Sequence, residues 1–139
     1  MIYRSNSEED TVKIAEDIAS RTKNGDAIAL SGDLGSGKTF FARAFIKYLL
    51  PPEDREGITV ISPTFNLVRI YDTPAFGIYH LDLYRIKKSE ELYELDLETI
   101  FRNVSLIEWP TLIYRFRPRS LMINIEIRLW EDHRDFILE

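Results

Sequence analysis

One stretch constrains this chain more than any other: Gly32-Asp33-Leu34-Gly35-Ser36-Gly37-Lys38-Thr39. It satisfies G-x-x-x-x-G-K-[ST] at every constrained position, the pattern of loops that cradle nucleotide phosphates. Glycine is required because backbone N–H groups must converge on an anion, and a Cβ there blocks the approach or forbids the dihedrals. Lys38 supplies a point charge for the β and γ phosphates, and the Thr39 hydroxyl is placed to bind Mg²⁺. Asp33, Leu34, Gly35, Ser36, Gly37, Lys38, Thr39 and Phe40 are therefore candidate nucleotide-binding residues.

The flanks agree with this reading. Ala27-Ile28-Ala29-Leu30 is a short apolar run, a buried strand that feeds the loop. Phe40, Phe41, Ala44, Phe45, Tyr48 and Leu49 then recur at helical spacing until Pro51-Pro52 stops the helix. Strand, loop and helix follow in the required order, and the helix N-terminus adds its dipole to an anion site.

Bulk properties narrow the class. The 139 residues predict one domain spanning 1–139, burying roughly two-thirds of its unfolded surface. No run approaches the length of apolar chain needed to cross a membrane, and Met1 to Asn6 lacks the apolar core of a signal peptide. The absence of cysteine excludes disulfides and thiolate metal sites and fits a cytoplasmic protein. A net charge of −5 argues against a broad nucleic-acid-binding face. Little chain remains for a lid or a separate substrate domain.

Elsewhere, Ser7-Glu8-Glu9-Asp10 starts a helix whose apolar face is Val12, Ala15, Ile18 and Ala19, ending at Asn24-Gly25. Thr59 to Ile61 is short and β-branched. Leu67 to Tyr71 and Phe76 to Asp82 read as a β-hairpin. Residues 87–102 read as one or two short helices, and Val104 to Ile107 as a strand ending at Glu108. Leu121 to Trp130 alternates as a half-exposed strand, with residues 136–138 pairing back on it. The expected fold is α/β, a three-layer domain of the P-loop NTPase type, its mixed, mostly parallel central sheet including a β-hairpin.

Two carboxylates stand at strand ends, Asp82 and Glu108. Ligands of open α/β sheets sit outside the carboxyl ends of the strands, so both acids can face the phosphates. One can hold magnesium waters beside Thr39 while the other orients an attacking water. Ser62-Pro63-Thr64-Phe65 is either a γ-phosphate-sensing switch or an ordinary turn.

Five motifs in order give the chain a family resemblance. Beyond the glycine-rich loop they are Ser62-Pro63-Thr64-Phe65-Asn66-Leu67-Val68, His80-Leu81-Asp82-Leu83-Tyr84-Arg85, Glu94-Leu95-Asp96-Leu97-Glu98 and Glu108-Trp109-Pro110. Together they resemble the TsaE family, small bacterial ATPases of tRNA threonylcarbamoyladenosine modification. The resemblance implies ATP or ADP with Mg²⁺ as ligands, and Lys38 and Thr39 as the phosphate and magnesium residues. It places Thr64 in a switch-like segment and Trp109 close to the nucleotide. Asp82 is then the metal-side carboxylate and Glu108 the Walker-B-like acid. It further implies weak intrinsic ATPase activity, stimulated by partners. Those partners are a complex of TsaB and TsaD, reset between turnovers, with tRNA met only indirectly.

Other readings use the same loop: a nucleotide-gated binding module in which hydrolysis is incidental, or a small-molecule kinase. Among the remaining polar residues, His80 is expected to be a hydrogen-bonded structural histidine and His133 a solvated turn residue. Arg115-Phe116-Arg117-Pro118-Arg119 reads as a solvated basic loop, and the aromatics of the second helix as core. Arg85 is the one arginine next to a site motif, either an arginine finger or an ion-pair partner.

Overall fold

A computed structural model describes residues 1–60, 63 and 67–139. The helix after the Ser7 cap, α1 (Glu8–Ser20), forms because the Ser7 side chain accepts the Asp10 N–H and three acids occupy the first turn. β1 (Ile2–Ser5) precedes it and β2 (Ala27–Ser31) follows. After the glycine-rich loop comes α2 (Lys38–Leu49), then β3 (Val68–Asp72) and β4 (Gly77–Asp82). A 3₁₀ turn, Ser89–Glu94, and α3 (Leu97–Arg102) lead into β5 (Val104–Glu108). Two further 3₁₀ turns, Pro110–Arg115 and Arg119–Leu121, lead to β6 (Ile123–Leu129) and β7 (Arg134–Leu138).

The sheet has seven strands in the order β1-β7-β6-β2-β5-β4-β3. The four central strands are mutually parallel, and hairpins β6–β7 and β3–β4 extend the sheet on either side. β1, β2, β4, β5 and β6 point one way, β3 and β7 the other. The fold is thus α/β with a mixed, mostly parallel sheet, as expected.

Alternate residues of β2 serve opposite faces, as a pleated strand requires. Ile28 and Leu30 join the core beneath α1 and α2, with Ile125, Ile127 and Leu106. Ala27 and Ala29 join the core on the other face, beneath α3 and the 3₁₀ turns, with Leu81, Ile107 and Ile113. This makes three layers. Phe41 of α2 is fully buried, stacked between Phe45 (ring centroids 6.1 Å) and Phe136 of β7 (5.6 Å). Phe41→Ala is expected to cost about 3–5 kcal/mol in urea unfolding, because the cavity spans two elements.

Several expectations need correction. No element is expected at residues 2–5, yet β1 pairs there with β7, too short a strand to show a pattern. Thr59 and Val60 lie opposite no strand and are not β-structure; Val60 is buried all the same. α1 stops at Ser20, before Gly25, and its buried face adds Ile14 while Val12 is only half-buried. The buried face of α2 is Phe41, Ala42, Phe45 and Ile46; Tyr48 is 36 % exposed and Phe40 turns to a cleft. Apolar residues stand on both sides of the 41–45 axis, so spacing alone leaves the helix phase open. β6 is half-exposed as expected, with Arg128 and Leu129 exposed, but it begins at Ile123 because Leu121 belongs to the preceding 3₁₀ turn. It lies between β7 and β2, with Asn124, Ile125 and Ile127 buried. Buried Asn124 donates to the carbonyls of Arg119 (2.9 Å) and Met122 (3.1 Å) and accepts from Tyr114 Oη (2.8 Å).

Candidate functional site

The site grows from the junction of β2 and α2. Gly37 is the N-cap of α2 with φ 108°, a left-handed conformation that favours glycine, and it offers no side chain to cap the helix. No acid stands in the first turn. The twelve-residue helix thus supplies neither a cap nor an acid of its own at its positive end. Gly32 is constrained differently: at φ 150°, a Cβ would meet the Ile127 carbonyl oxygen at 2.8 Å.

Two cations are added at that end. Arg134, the first residue of β7, brings Nη1 to 2.6 Å from where a Cβ on Gly37 would stand. Among the described residues Arg134 makes no ion pair. Lys38 is buried, and its Nζ donates to the carbonyls of Gly32 (2.6 Å) and Asp33 (2.9 Å). Burial pushes the Lys38 ammonium below the usual lysine range, opposed by the charges of Glu108, Asp82 and Asp33. Two cations beside a helix N-terminus favour an anion there. The geometry suits an anion.

Sheet register supplies the acids. β4 and β5 are parallel with Asp82 opposite Glu108, and β5 pairs with β2 so that Glu108 stands opposite Leu30. Both carboxylates thus meet the loop at one edge. Glu108 is 2 % exposed, with Oε1 3.4 Å from Thr39 Oγ1 and Oε2 2.6 Å from His80 Nε2. Asp82, also buried, accepts the Tyr84 N–H at 3.0 Å. Trp109 follows Glu108 at φ 58°, unusual for a non-glycine residue. This turn sets its ring 4.2 Å from Lys38 Nζ and 4.9 Å from the Tyr84 ring.

Leu34, Gly35, Gly37, Lys38, Thr39, Phe40, Asp82, Tyr84, Glu108, Trp109 and Arg134 line a cleft of about 450 Å³. Most of the expected site residues are together there. Asp33 instead lines a neighbouring cleft with Gly32, Trp109 and Arg128. Ser36 is buried with Oγ unpartnered among the described residues, supporting the loop from inside. Thr64 lies outside the described residues.

Thr39 Oγ1, Glu108 Oε1 and the Asp82 carboxylate are hard oxygen donors. No group of three His, Cys, Asp or Glu side chains able to hold a metal occurs among the described residues. That suits magnesium, which takes one or two carboxylates and fills its shell with phosphate and water.

A second recess of about 270 Å³ lies beside the cleft, lined by Ser5, Asn6, Thr11, Trp130, His133 and Arg134 among others. Arg134 belongs to both. The sequence carries no motif signal for Arg134, because it arrives from the far end of the chain through the β6–β7 hairpin. His133 is not a solvated turn residue: its side chain is 16 % exposed, stacked on Trp130, with Nδ1 2.7 Å from Asp132. His80 is hydrogen-bonded, as expected. Arg85 is exposed and does not line the cleft. The basic segment is pinned as well. Arg117 donates to the Leu121 carbonyl at 3.0 Å, and Arg119 pairs with Glu139 at 2.8 Å.

Fold and site together define a three-layer α/β protein whose glycine-rich loop faces two strand-tip acids. The protein-family model of "Threonylcarbamoyl adenosine biosynthesis protein TsaE" matches residues 5–136. The tRNA threonylcarbamoyladenosine biosynthesis protein TsaE of Rickettsia bellii is 46 % identical over 130 residues, covering 93 % of this chain and 87 % of that one. The Bacillus subtilis protein of the same name is 35 % identical, covering 96 % and 81 %. The crystal structure of Bacillus subtilis YdiB superposes with a TM-score of 0.76 at 33 % identity, covering 99 % of this chain and 83 % of that one. The chain belongs to the TsaE family, and with it to the proteins of tRNA threonylcarbamoyladenosine biosynthesis. No helix among the described residues is long and apolar enough to cross a membrane.

Proposed function

We propose that the chain binds ATP with Mg²⁺ in this cleft and hydrolyses it slowly, acting as the ATPase of tRNA threonylcarbamoyladenosine modification. In that role it docks on a TsaB–TsaD complex in the cytoplasm, resets it between turnovers, and meets tRNA only indirectly. One observation carries the reading: parallel register brings Asp82 and Glu108 beside Lys38 and Thr39 at the uncapped start of α2.

The β and γ phosphates lie against the loop amides, with Lys38 exchanging its carbonyl partners for phosphate oxygens. Thr39, Glu108 and Asp82 hold the metal and its waters. Bound magnesium supplies charge neutralisation for the transferring phosphoryl group. Glu108 and Asp82 orient the attacking water, and Trp109 covers the phosphate end of the cleft. Phosphoryl transfer depends on positioning and charge neutralisation more than on covalent chemistry, so this set suffices for slow turnover. The adjoining recess takes the nucleoside, and Arg134 spans the two. Arg134→Ala is accordingly expected to weaken ATP binding about tenfold or more, as for a lost hydrogen bond to a charged group; titration with a fluorescent ATP analogue reads this directly.

The deciding experiment measures phosphate release from ATP with and without purified TsaB and TsaD. Hydrolysis that needs Glu108, rises with the partners and requires no small acceptor supports the proposal. Transfer to a metabolite would establish a kinase instead. A gated binding module is the second reading. It is favoured by the way Lys38 is held on its own loop and covered by Trp109, an arrangement nucleotide must open. Partner binding that follows nucleotide state while Glu108→Ala leaves tRNA modification intact would select it.

A further inference from the structure

We propose that His80 is a positioning residue for Glu108, fixing which carboxylate oxygen faces the cleft; this rests on the nucleotide reading above. His80 lies on β4 two residues before Asp82, so both side chains leave the same face of the strand. Glu108 stands opposite Asp82 on β5, which makes His80 its diagonal neighbour. The imidazole is fully buried, and Nε2 lies 2.6 Å from Glu108 Oε2.

A carboxylate only accepts, so Nε2 carries the proton in this bond. The other ring nitrogen, Nδ1, is buried without a partner among the described residues. Among the described residues Glu108 is therefore the one polar group the ring serves. With Oε2 engaged, Oε1 is the oxygen left to Thr39 and the cleft, at 3.4 Å. The buried Lys38 ammonium is the competing attraction, since Glu108 leads the charges acting on it. The His80 bond holds one oxygen back in the sheet, opposing rotation of the carboxylate onto Lys38. Partners that orient a ligating group without touching the metal typically contribute 10- to 100-fold in metal affinity or activity.

The test compares wild type, His80→Phe and His80→Gln. Phenylalanine keeps a ring at the buried position but donates nothing; glutamine keeps an N–H. Cooperative melting by circular dichroism establishes that each variant folds. The readout is the Mg²⁺ concentration that half-completes the tightening of a fluorescent ATP analogue, beside its metal-free affinity. Expected for His80→Phe is a midpoint raised about 10- to 100-fold, metal-free affinity within about threefold, and kcat lowered with KM little changed. His80→Gln should recover most of the loss. An unmoved midpoint in His80→Phe, or His80→Gln as impaired as His80→Phe, overturns the assignment. If neither variant folds, ¹⁵N shifts of the wild-type ring decide it: an Nε2–H tautomer that disappears in Glu108→Ala supports the role, and an Nδ1–H tautomer ends it. Wild-type protein that binds no nucleotide defeats the nucleotide reading itself, whatever the variants do.

Discussion

Glu108→Gln is expected to lower ATP hydrolysis about 100- to 1000-fold while ATP affinity stays within a few fold, the size seen when one preorganised electrostatic group is lost from a site. Glutamine is nearly isosteric, and its amide oxygen still accepts from His80 Nε2, now 2.6 Å from Oε2, so strand β5 and its neighbours keep their places. What disappears is the negative charge at Oε1, 3.4 Å from Thr39 Oγ1. A hard cation and a polarised water both need that charge, whereas loop amides holding phosphate in the proposed mode would not. Binding and turnover should therefore separate. Single-turnover phosphate release and equilibrium nucleotide titration on the same preparation check it. A variant that turns over within twofold of wild type would remove Glu108 from the chemistry.

Lys38→Ala should have the opposite signature: ATP affinity falls about 10- to 150-fold, the range expected from one charge-assisted hydrogen bond of about 1.5–3 kcal/mol. Lys38 is buried and its ammonium is pushed below the usual lysine range by that burial, yet it stays in the loop because two carbonyls and three nearby acids hold it. Such a group is costly to keep without a ligand, which argues for a binding role. Its removal leaves the Gly32 and Asp33 carbonyls without their donor, so a stability loss of about 1 kcal/mol is expected alongside. Calorimetric titration with ATP and a parallel urea melt distinguish the two effects. Undiminished affinity would mean that phosphate binds elsewhere.

Much of this site can be read from local sequence. The run from Ala27 to Lys38 is contiguous, so a strand, a turn and a helix start must lie together whatever the rest of the chain does. Asp82 and Glu108 are legible as strand ends because each closes an apolar run. The phase of α2 is not legible, since Phe40, Ala44 and Tyr48 are as apolar as the residues that are buried. Burial there follows from what α1 and β7 present to the helix, and no spacing rule contains that. β6 is legible in its alternation, since Ile125 and Ile127 face the core while Arg128 stays exposed, but no local pattern shows that Asn124 on the opposite face is buried and bonded to Tyr114.

The amino-acid order alone determined the glycine-rich loop, the helix that begins beside it and the two acids at strand tips, because each rests on neighbours along the chain. Only the tertiary structure decided that Asp82 faces Glu108, that His80 holds that glutamate, and that Arg134 reaches over Gly37. Those contacts depend on which strands pair and in what register, and a one-residue slip would carry every side chain to the opposite face.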